Sequence, residues 1–217
     1  MRGIFVTGTD TDAGKTLVSA ALMTGAPADW RYWKPVQTGL ATDVGDTATV
    51  ARLAELSPER APDVGVRLQP PVSPHHAAAL RGGSIETSSL QTQASHLAND
   101  RHGGFWVVEG AGGILTPLSS TETMRDLAIA LDLPVLVVVR VRLGAINHAL
   151  LTAAALGQAG VRALGFLLSG DADPSLESAL AAHATLPVLG RLPHCPPETP
   201  LGEHGGRLRH AILEALR

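Results

Sequence analysis

The sequence has 217 residues, of which 45% are hydrophobic and 17% charged, a balance that excludes an intrinsically disordered chain and predicts one globular domain over residues 1–217. A formal net charge of -3 gives no electrostatic reason to expect nucleic acid as a partner. The longest apolar run, Pro134 to Val139, is too short for a membrane span, and the single cysteine, Cys195, excludes an internal disulfide and favours the cytoplasm.

A glycine-bounded loop at residues 8 to 14 is the first feature along the chain. It follows the apolar run Ile4 to Val6, which predicts a buried strand and no signal peptide, and it precedes a segment with helical spacing of apolar residues. Because glycines let backbone amides approach an anion, Gly14-Lys15-Thr16 is typical of a phosphate-binding loop in which Lys15 meets phosphates and Thr16 a magnesium ion. Five residues, rather than the usual four, separate the two glycines, so an ordinary strand-to-helix turn is the alternative.

A second strand is predicted over Asp29 to Val36, ending in Lys34-Pro35. In open parallel sheets the ligand lies beyond the carboxyl ends of the strands, so Lys34 and Thr38 are candidates for the same site. The alternative for Lys34 is a solvated lysine near a sheet edge. A helix is predicted from residue 43 to 56. Asp46 is either its cap or a magnesium ligand, and Thr47 could also serve as the cap.

The adjacent histidines His75 and His76 open an alanine-rich helix after Ser73-Pro74. Successive helical residues do not share a face, and the sequence offers no evident third ligand. Loop or cap roles are therefore favoured over a metal site.

An acidic residue ends the apolar strand predicted from Phe105 to Glu109, which runs into a loop at Gly110 to Gly113. A carboxylate at the end of such a strand is a typical magnesium position beside a phosphate loop. The alternative is that Glu109 only caps the next turn.

The remaining segments continue an alternation of helices and strands. Predicted helices are Ser84 to Asn99, Met124 to Leu131, the segment through Leu156, the one opened by Asp173-Pro174, and Arg207 to Leu216; predicted strands are Pro134 to Val139, which is expected to be central, Val161 to Leu168 and Pro187 to Leu192. Residues 140 to 148 are predicted as a loop whose helix start could hold an anion. This order predicts an α/β fold with a mostly parallel sheet and helices on both faces.

These residues resemble the dethiobiotin synthetase family over nearly the whole chain. The matching motifs are VTGTDTDAGKT at 6 to 16, KPVQTG at 34 to 39, GD at 45 to 46, SPH at 73 to 75, VEGAGG at 108 to 113 and LGAINH at 143 to 148. The family has the same five-residue spacing in its phosphate loop. The resemblance implies a P-loop NTPase-type fold and a homodimeric ligase that uses Mg²⁺, 7,8-diaminopelargonic acid, CO2 or bicarbonate and a nucleoside triphosphate to form dethiobiotin in biotin biosynthesis.

The resemblance also implies roles for individual residues. Catalytic roles fall to Lys15, Lys34, Thr11 and Thr38, and magnesium binding to Thr16, Asp46 and Glu109. Nucleotide binding is implied for Thr9, Asp12, Ala13, Gly14, Lys15, Thr16, Leu17, Glu109, Gly110, Ala111, Gly112, Ser169 and Pro193. Binding of the substrate, with its carboxylate held across the dimer interface, is implied for Thr38, Leu143, Gly144, Ala145 and Asn147.

One departure concerns the base. Where relatives place an asparagine that recognises adenine, this chain has Ser169-Gly170-Asp171, which weakens the prediction of a base preference. ATP is the default expectation for the cosubstrate, and another triphosphate such as CTP is the alternative. Two other function classes are a partitioning-type ATPase switch and a non-catalytic nucleotide-binding regulator. The first has an additional lysine early in its phosphate loop, which residues 9 to 13 lack, and the second does not need a second lysine such as Lys34.

Overall fold

The structure is a computed structural model and describes residues 1–100, 103–194 and 201–217. The strands are β1 Arg2–Gly8, β2 Trp30–Trp33, β3 Val36–Gln37, β4 Val66–Arg67, β5 Phe105–Gly113, β6 Val135–Arg140, β7 Ala163–Ser169 and β8 Val188–Leu192. The helices are α1 Lys15–Met23, α2 Asp46–Leu53, α3 Pro74–Ala79, α4 Thr87–Asp100, α5 Met124–Leu131, α6 Ala145–Gln158, α7 Pro174–His183 and α8 Gly202–Ala215.

A parallel sheet of six strands, in the order β2-β5-β1-β6-β7-β8, forms the centre of the fold. Parallel neighbours need crossover connections, and the helices between the strands supply them. The strand β6 pairs with β1 on one side and β7 on the other, which confirms its predicted central position. All six strands run in one direction, so the loops after them meet at one edge of the sheet.

Two apolar layers, one on each face of the sheet, hold the helices. On one face α1, α2 and α8 contribute buried residues such as Val18, Val50 and Ile212. On the other face α3 to α7 contribute residues such as Leu127 and Ala149. A sheet covered on both faces is the arrangement expected of buried parallel strands, and it confirms the predicted α/β class. Among the described residues, no helix is both long and apolar enough to cross a bilayer.

The predicted second strand is divided in two. The strand β2 ends at Trp33, and Val36 belongs to β3, which pairs with β4 outside the main sheet. Proline has no N–H to donate to a ladder, so Pro35 separates the two pieces. Lys34 therefore lies in the break, immediately after the carboxyl end of β2.

Other boundaries also differ from the predictions. Residues 110 to 113 continue β5 instead of forming a loop, and Gly113 pairs with Gly8 after a register shift. The cap of α2 is Gly45, so Asp46 is the first helical residue and its side chain is free for other contacts. The helix α6 begins at Ala145, within the segment predicted as a loop, and α8 begins at Gly202, before the predicted Arg207. Part of the loop predicted after β8, including Cys195, lies outside the described residues.

Candidate active site

The phosphate-loop candidate connects β1 to α1 in the middle of the sheet. Gly14 precedes α1 in a left-handed conformation with φ 97°, and Asp12 also has a positive φ of 56°. A Cβ atom on Gly14 would lie 2.2 Å from the Ser169 Oγ. Both the backbone conformation and the close approach of β7 therefore require glycine at this position.

Lys15 is buried at the start of α1, and its Nζ donates to the Asp10 carbonyl oxygen at 3.1 Å. Burial, followed by the nearby Lys34 ammonium, lowers the pKa of Lys15. The Asp10 carboxylate accepts from the Thr11 backbone N–H and from Arg142, each at 2.7 Å. The phosphate-loop candidate is thus tied to the segment that follows β6.

Lys34, Asp46 and Glu109 meet below this loop, although they lie far apart in the chain. The Lys34 Nζ is 2.6 Å from Asp46 Oδ2, 3.1 Å from Glu109 Oε1 and 2.9 Å from the Gly110 carbonyl oxygen. The Thr16 Oγ1 lies 2.8 Å from Asp46 Oδ1 and 3.1 Å from Glu109 Oε1. Because a hydroxyl has one hydrogen, Thr16 donates to one of these two carboxylates at a time.

Glu109 is completely buried, and its second carboxylate oxygen accepts from the Tyr32 hydroxyl at 3.0 Å. Tyr32 and Lys34 are two residues apart around the end of β2, and both side chains reach Glu109. Burial and then the charges of Glu109 and Asp46 raise the pKa of Tyr32 far above its usual value, so it stays a hydrogen-bond donor.

The charges of Lys34 and Asp46 support each other. Burial alone would lower the pKa of Lys34, but Glu109 and Asp46 outweigh it and raise the pKa. Burial alone would raise the pKa of Asp46, but the Lys34 ammonium and the Thr16 hydroxyl outweigh it and lower the pKa. The lysine is therefore held as an ammonium and the aspartate as a carboxylate.

A magnesium ion fits the chemistry of this oxygen cluster. Thr16 presents a hydroxyl oxygen and Asp46 and Glu109 present carboxylate oxygens, and the distances of 2.8 and 3.1 Å from the Thr16 hydroxyl show how close these oxygens lie. Mg²⁺ is bound in proteins by one or two carboxylates together with substrate phosphates and water. Among the described residues there is no group of three His, Cys, Asp or Glu side chains suited to a metal. His75 instead hydrogen-bonds through Nδ1 to the Ser73 hydroxyl at 3.1 Å.

A cleft of about 1030 Å³ opens at the carboxyl edge of the sheet around the phosphate-loop candidate. The sheet order places β6, β7 and β8 on one side of β1, and β5 and β2 on the other. One arm of the cleft is lined by residues at the ends of β6, β7 and β8, including Val141, Ser169 and Leu192. The other arm is lined by Lys34, Thr38 and the segment before α3.

Most of the predicted site residues line this cleft: Thr11, Asp12, Gly14, Lys15, Thr16, Leu17, Lys34, Thr38, Asp46, Ala111, Gly112, Ser169 and Pro193. Four others lie beside or beneath it without lining it: Thr9, Ala13, Glu109 and Gly110. The structure does not bring the predicted substrate residues Leu143, Gly144, Ala145 and Asn147 to the cleft of their own chain. Leu143 is fully exposed, and Asn147 is exposed on the first turn of α6.

Sequence reasoning missed three residues at the site. Tyr32 hydrogen-bonds to Glu109, Gln37 accepts from the Asp46 backbone N–H at 3.0 Å, and Arg140 lines the cleft near the phosphate-loop candidate. The position of Tyr32, two residues before Lys34 near a strand end, is the one signal that could have indicated it, because side chains two apart in a strand share a face.

Comparison with known proteins gives close relatives over most of the chain. The ATP-dependent dethiobiotin synthetase BioD of Nitrobacter hamburgensis is 45% identical over 196 residues, which cover 90% of this chain and 88% of the relative. The protein of the same name from a Bradyrhizobium species is 40% identical over 216 residues, covering 99% of this chain and 95% of the relative. The chain belongs to the dethiobiotin synthetase family. This confirms both the predicted family and the prediction of an enzyme.

A third relative is longer than this chain. The biotin biosynthesis bifunctional protein BioCD of Bordetella avium is 43% identical over 194 residues, which cover 88% of this chain but 39% of the relative. A protein-family profile described as an AAA domain matches residues 2–200. The dethiobiotin synthetase family relationship thus covers the phosphate-loop candidate and the Lys34 cluster together.

Solved structures with the same fold have low sequence identity. The cell division ATPase MinD of Pyrococcus furiosus gives a TM-score of 0.57 at 16% identity and covers 99% of both chains. A ParA family ATPase from Chlorobium tepidum gives a TM-score of 0.56 at 12% identity, covering 100% of this chain and 98% of the other. These similarities confirm the predicted P-loop NTPase-type fold and say nothing further about function.

Proposed function

We propose that the chain is a ligase that forms the cyclic urea of dethiobiotin from 7,8-diaminopelargonic acid and CO2 at the expense of ATP. The names of the relatives support the product, and the cleft supports the chemistry. The observation on which the proposal rests is Lys34, a second buried lysine that lines the same cleft as Lys15. A site that only binds a nucleotide does not need two buried ammonium groups.

The nucleotide would lie across the phosphate-loop candidate, with Lys15 and the loop amides at its β- and γ-phosphates. Its base would enter the arm beside Val141 and Leu192, where apolar side chains can pack on a flat ring. The diamine would enter the opposite arm, beside Thr38 and Lys34. In this arrangement the two reactants would lie on either side of the γ-phosphate.

The reaction would proceed in three steps. One amine of the substrate adds to CO2 and loses a proton, giving a carbamate. A carbamate oxygen attacks the γ-phosphorus, the bond to the β-phosphate oxygen breaks, and a carbamic-phosphoric anhydride and nucleoside diphosphate result. The second amine then attacks the carbamoyl carbon, and phosphate leaves as the ring closes. Carbamate and γ-phosphate are both anions, so catalysis depends on positioning and fixed positive charge from Lys15 and Lys34.

Thr16, Asp46 and Glu109 would hold the magnesium ion of the nucleotide. When bound, the ion neutralises charge on the β- and γ-phosphates and fixes their orientation. Thr11 and Thr38 would hydrogen-bond around the reacting groups.

The substrate carboxylate needs a positive site away from the phosphates, and we propose that a second copy of the chain supplies it. A helix start leaves backbone N–H groups without intrahelical partners, which suits an anion. At the start of α6 the Ala145 N–H donates to the Arg142 carbonyl oxygen, and this helix start does not line the cleft of its own chain. Three exposed apolar side chains, Leu143, Ile146 and Leu151, lie at or near this helix. A homodimer that buries them would complete each cleft with residues 143 to 147 of the other copy.

The decisive experiment is a turnover assay with 7,8-diaminopelargonic acid, bicarbonate and Mg²⁺·ATP that measures the cyclic product. We expect stoichiometric formation of cyclic urea and ADP. ATP hydrolysis without cyclic product would instead support a partitioning-type switch, and nucleotide binding without hydrolysis would support a regulator. A single domain over residues 1–217 and a cytoplasmic location, expected from composition and the lone cysteine, stay predictions.

A further inference from the structure

The ammonium of Lys34 has its full set of hydrogen-bond partners within the protein. Its three hydrogens match three oxygens, on Asp46, Glu109 and Gly110, at 2.6 to 3.1 Å. The side chain is 3% exposed. While this arrangement holds, Lys34 has no hydrogen left for a phosphate or a carbamate.

The oxygens that hold this ammonium are the ones a divalent cation needs. Mg²⁺ takes oxygen ligands at about 2.0–2.1 Å in near-octahedral geometry. In the structure the ammonium lies 3.1 Å from Glu109 Oε1 and 2.6 Å from Asp46 Oδ2. A metal and an ammonium at these distances from the same oxygens would repel each other strongly. Lys34 in this position and a metal on the same carboxylates therefore exclude each other.

Glu109 is anchored without Lys34. Its Oε2 accepts from the Tyr32 hydroxyl at 3.0 Å, and its Oε1 lies 3.1 Å from the Thr16 hydroxyl. The carboxylate can therefore keep its orientation when the ammonium leaves. Lys34 also lines the cleft, so its side chain has space to extend toward the phosphate-loop candidate.

We propose that Lys34 is the resident cation of the Thr16–Asp46–Glu109 site and that arrival of the metal with its nucleotide displaces it into the cleft. This rests on the proposed function for the role of the displaced ammonium. Before loading, Lys34 neutralises the buried Glu109 carboxylate and the partly buried Asp46 carboxylate and keeps them in place. After loading, the same ammonium is free to meet the anionic reactants, so the lysine becomes available only when metal and nucleotide are bound.

The first test measures binding of Mn²⁺ alone, from the electron paramagnetic resonance signal of the free ion, with no nucleotide or diamine present. We expect Lys34→Met to bind one Mn²⁺ at least about tenfold more tightly than the wild-type chain, since its competitor is gone. Lys15→Met is the matched control. Lys15 is also a buried lysine near the site, but its ammonium contacts the Asp10 carbonyl oxygen and not the carboxylates. Its gain should be clearly smaller.

Equal or weaker Mn²⁺ binding by Lys34→Met than by the wild type would overturn the proposal, as would equal gains in the two variants. These outcomes do not depend on product formation. A wild-type chain that makes no cyclic urea but shows the expected Mn²⁺ pattern would refute the proposed function and leave the exchange supported.

The second test needs no variant, because Lys34→Met leaves one buried and one partly buried carboxylate without their ammonium partner and could fail to fold. Crystal structures of the wild-type chain with ADP are compared in the presence of EDTA and of Mg²⁺. We expect the Lys34 Nζ to stay on Asp46 and Glu109 with ADP alone and to leave both carboxylates when Mg²⁺ is bound. Unchanged contacts in both structures would contradict the exchange.

Discussion

The two buried lysines of the cleft have opposite surroundings. Lys15 contacts a backbone carbonyl and feels a neighbouring cation, and its pKa is lowered by burial and then by Lys34. Lys34 lies between two carboxylates that raise its pKa despite its burial. At the scale of single residues, the site thus pairs one lysine open to an incoming anion with one already neutralised.

Lys15→Ala should abolish nucleotide-dependent turnover, with a loss of at least about 100-fold, because a fixed positive charge at the β- and γ-phosphates disappears. The measurement is the initial rate of cyclic product at saturating nucleotide. Thermal unfolding of the variant serves as the control for folding. A folded variant with near-normal activity would remove Lys15 from the chemistry.

Tyr32→Phe should raise the Mg²⁺ concentration needed for half-maximal activity about three- to tenfold, because the Oε2 of a fully buried carboxylate loses its donor. The KM for 7,8-diaminopelargonic acid should stay unchanged. The direct readout is the affinity for ADP, measured with Mg²⁺ and with EDTA. In the variant the gain in affinity caused by Mg²⁺ should be smaller, and the affinity in EDTA should be unchanged.

Trp33→Phe is the matched control for Tyr32→Phe. It removes another hydrogen bond of β2, from the indole N–H to the Val64 carbonyl at 2.9 Å, at a residue with no such bond to Glu109. It should lower stability without changing the Mg²⁺ dependence. Equal Mg²⁺ effects in the two variants would show that Tyr32 acts only through general packing.

At the scale of elements, side chains define the start of α5. The Thr123 backbone N–H and hydroxyl both donate to Asp126 Oδ2, at 2.7 and 2.6 Å. This capping box fixes a helix that packs Leu127 against the sheet. Burial alone would raise the pKa of Asp126, but the two donors outweigh it and lower the pKa.

Asp126→Asn should lower the free energy of unfolding at pH 7 by about 1 kcal/mol. The pKa of Asp126 is lower in the folded state than in the unfolded state. Its contribution to the stability of the fold is therefore fully present at pH values above the unfolded-state pKa of about 3.9, and it is lost as the pH falls through the folded-state pKa. The difference between wild type and variant, measured by urea unfolding, should therefore close below about pH 4.

Glu203→Gln is the control for this pH dependence. Glu203 is an exposed carboxylate in the first turn of α8 that pairs with Arg207, and such a pair contributes little. A pH-independent gap for Asp126→Asn, or an equal gap for Glu203→Gln, would contradict the capping role.

The arm of the cleft formed after β6, β7 and β8 should recognise the base weakly. Ser169 packs against Gly14 and is shorter than the asparagine expected at this position, and Val141 and Leu192 offer no hydrogen bond through their side chains. One missing bidentate contact costs only a few kcal/mol, so kcat/KM values for ATP, CTP, GTP and UTP should fall within about 100-fold of one another. Values that spread over many orders of magnitude would show a base-specific contact in this arm.

At the scale of the whole molecule, the prediction concerns the second copy. Asn147→Ala should raise the KM for 7,8-diaminopelargonic acid at least about tenfold and leave the KM for the nucleotide nearly unchanged. The start of α6 lies outside the cleft of its own chain, and in the proposed dimer it meets the substrate carboxylate in the cleft of the other copy. Mixing Lys15→Ala chains with Asn147→Ala chains should then restore about one working site per mixed dimer.

Each variant alone is the control for this mixing experiment, measured at the same total concentration and at low diamine concentration. Formation of mixed dimers is checked by differently tagged chains. Mixed dimers without restored activity would show that each cleft is complete within one chain.

Local sequence determined much of this protein. The strand, glycine loop and Gly-Lys-Thr of the phosphate-loop candidate are contiguous, so their pattern predicted both the elements and the site they build. The same holds for helix α5, predicted with the bounds that it has, and for the buried central strand β6, whose unbroken apolar run admits few other structures. Lys34, Asp46 and Glu109 were candidates because each follows or ends a recognisable local pattern.

Only the tertiary structure decided how these residues meet. The order of the strands brings the ends of β2 and β5 beside the start of α1, and this places Lys34 within 3.1 Å of two carboxylates that are distant in sequence. It also makes Tyr32 a partner of Glu109, pairs β3 with β4 outside the main sheet, and leaves the start of α6 outside the cleft. Contacts of this kind depend on strand order and packing between distant segments, which local propensity and spacing do not encode.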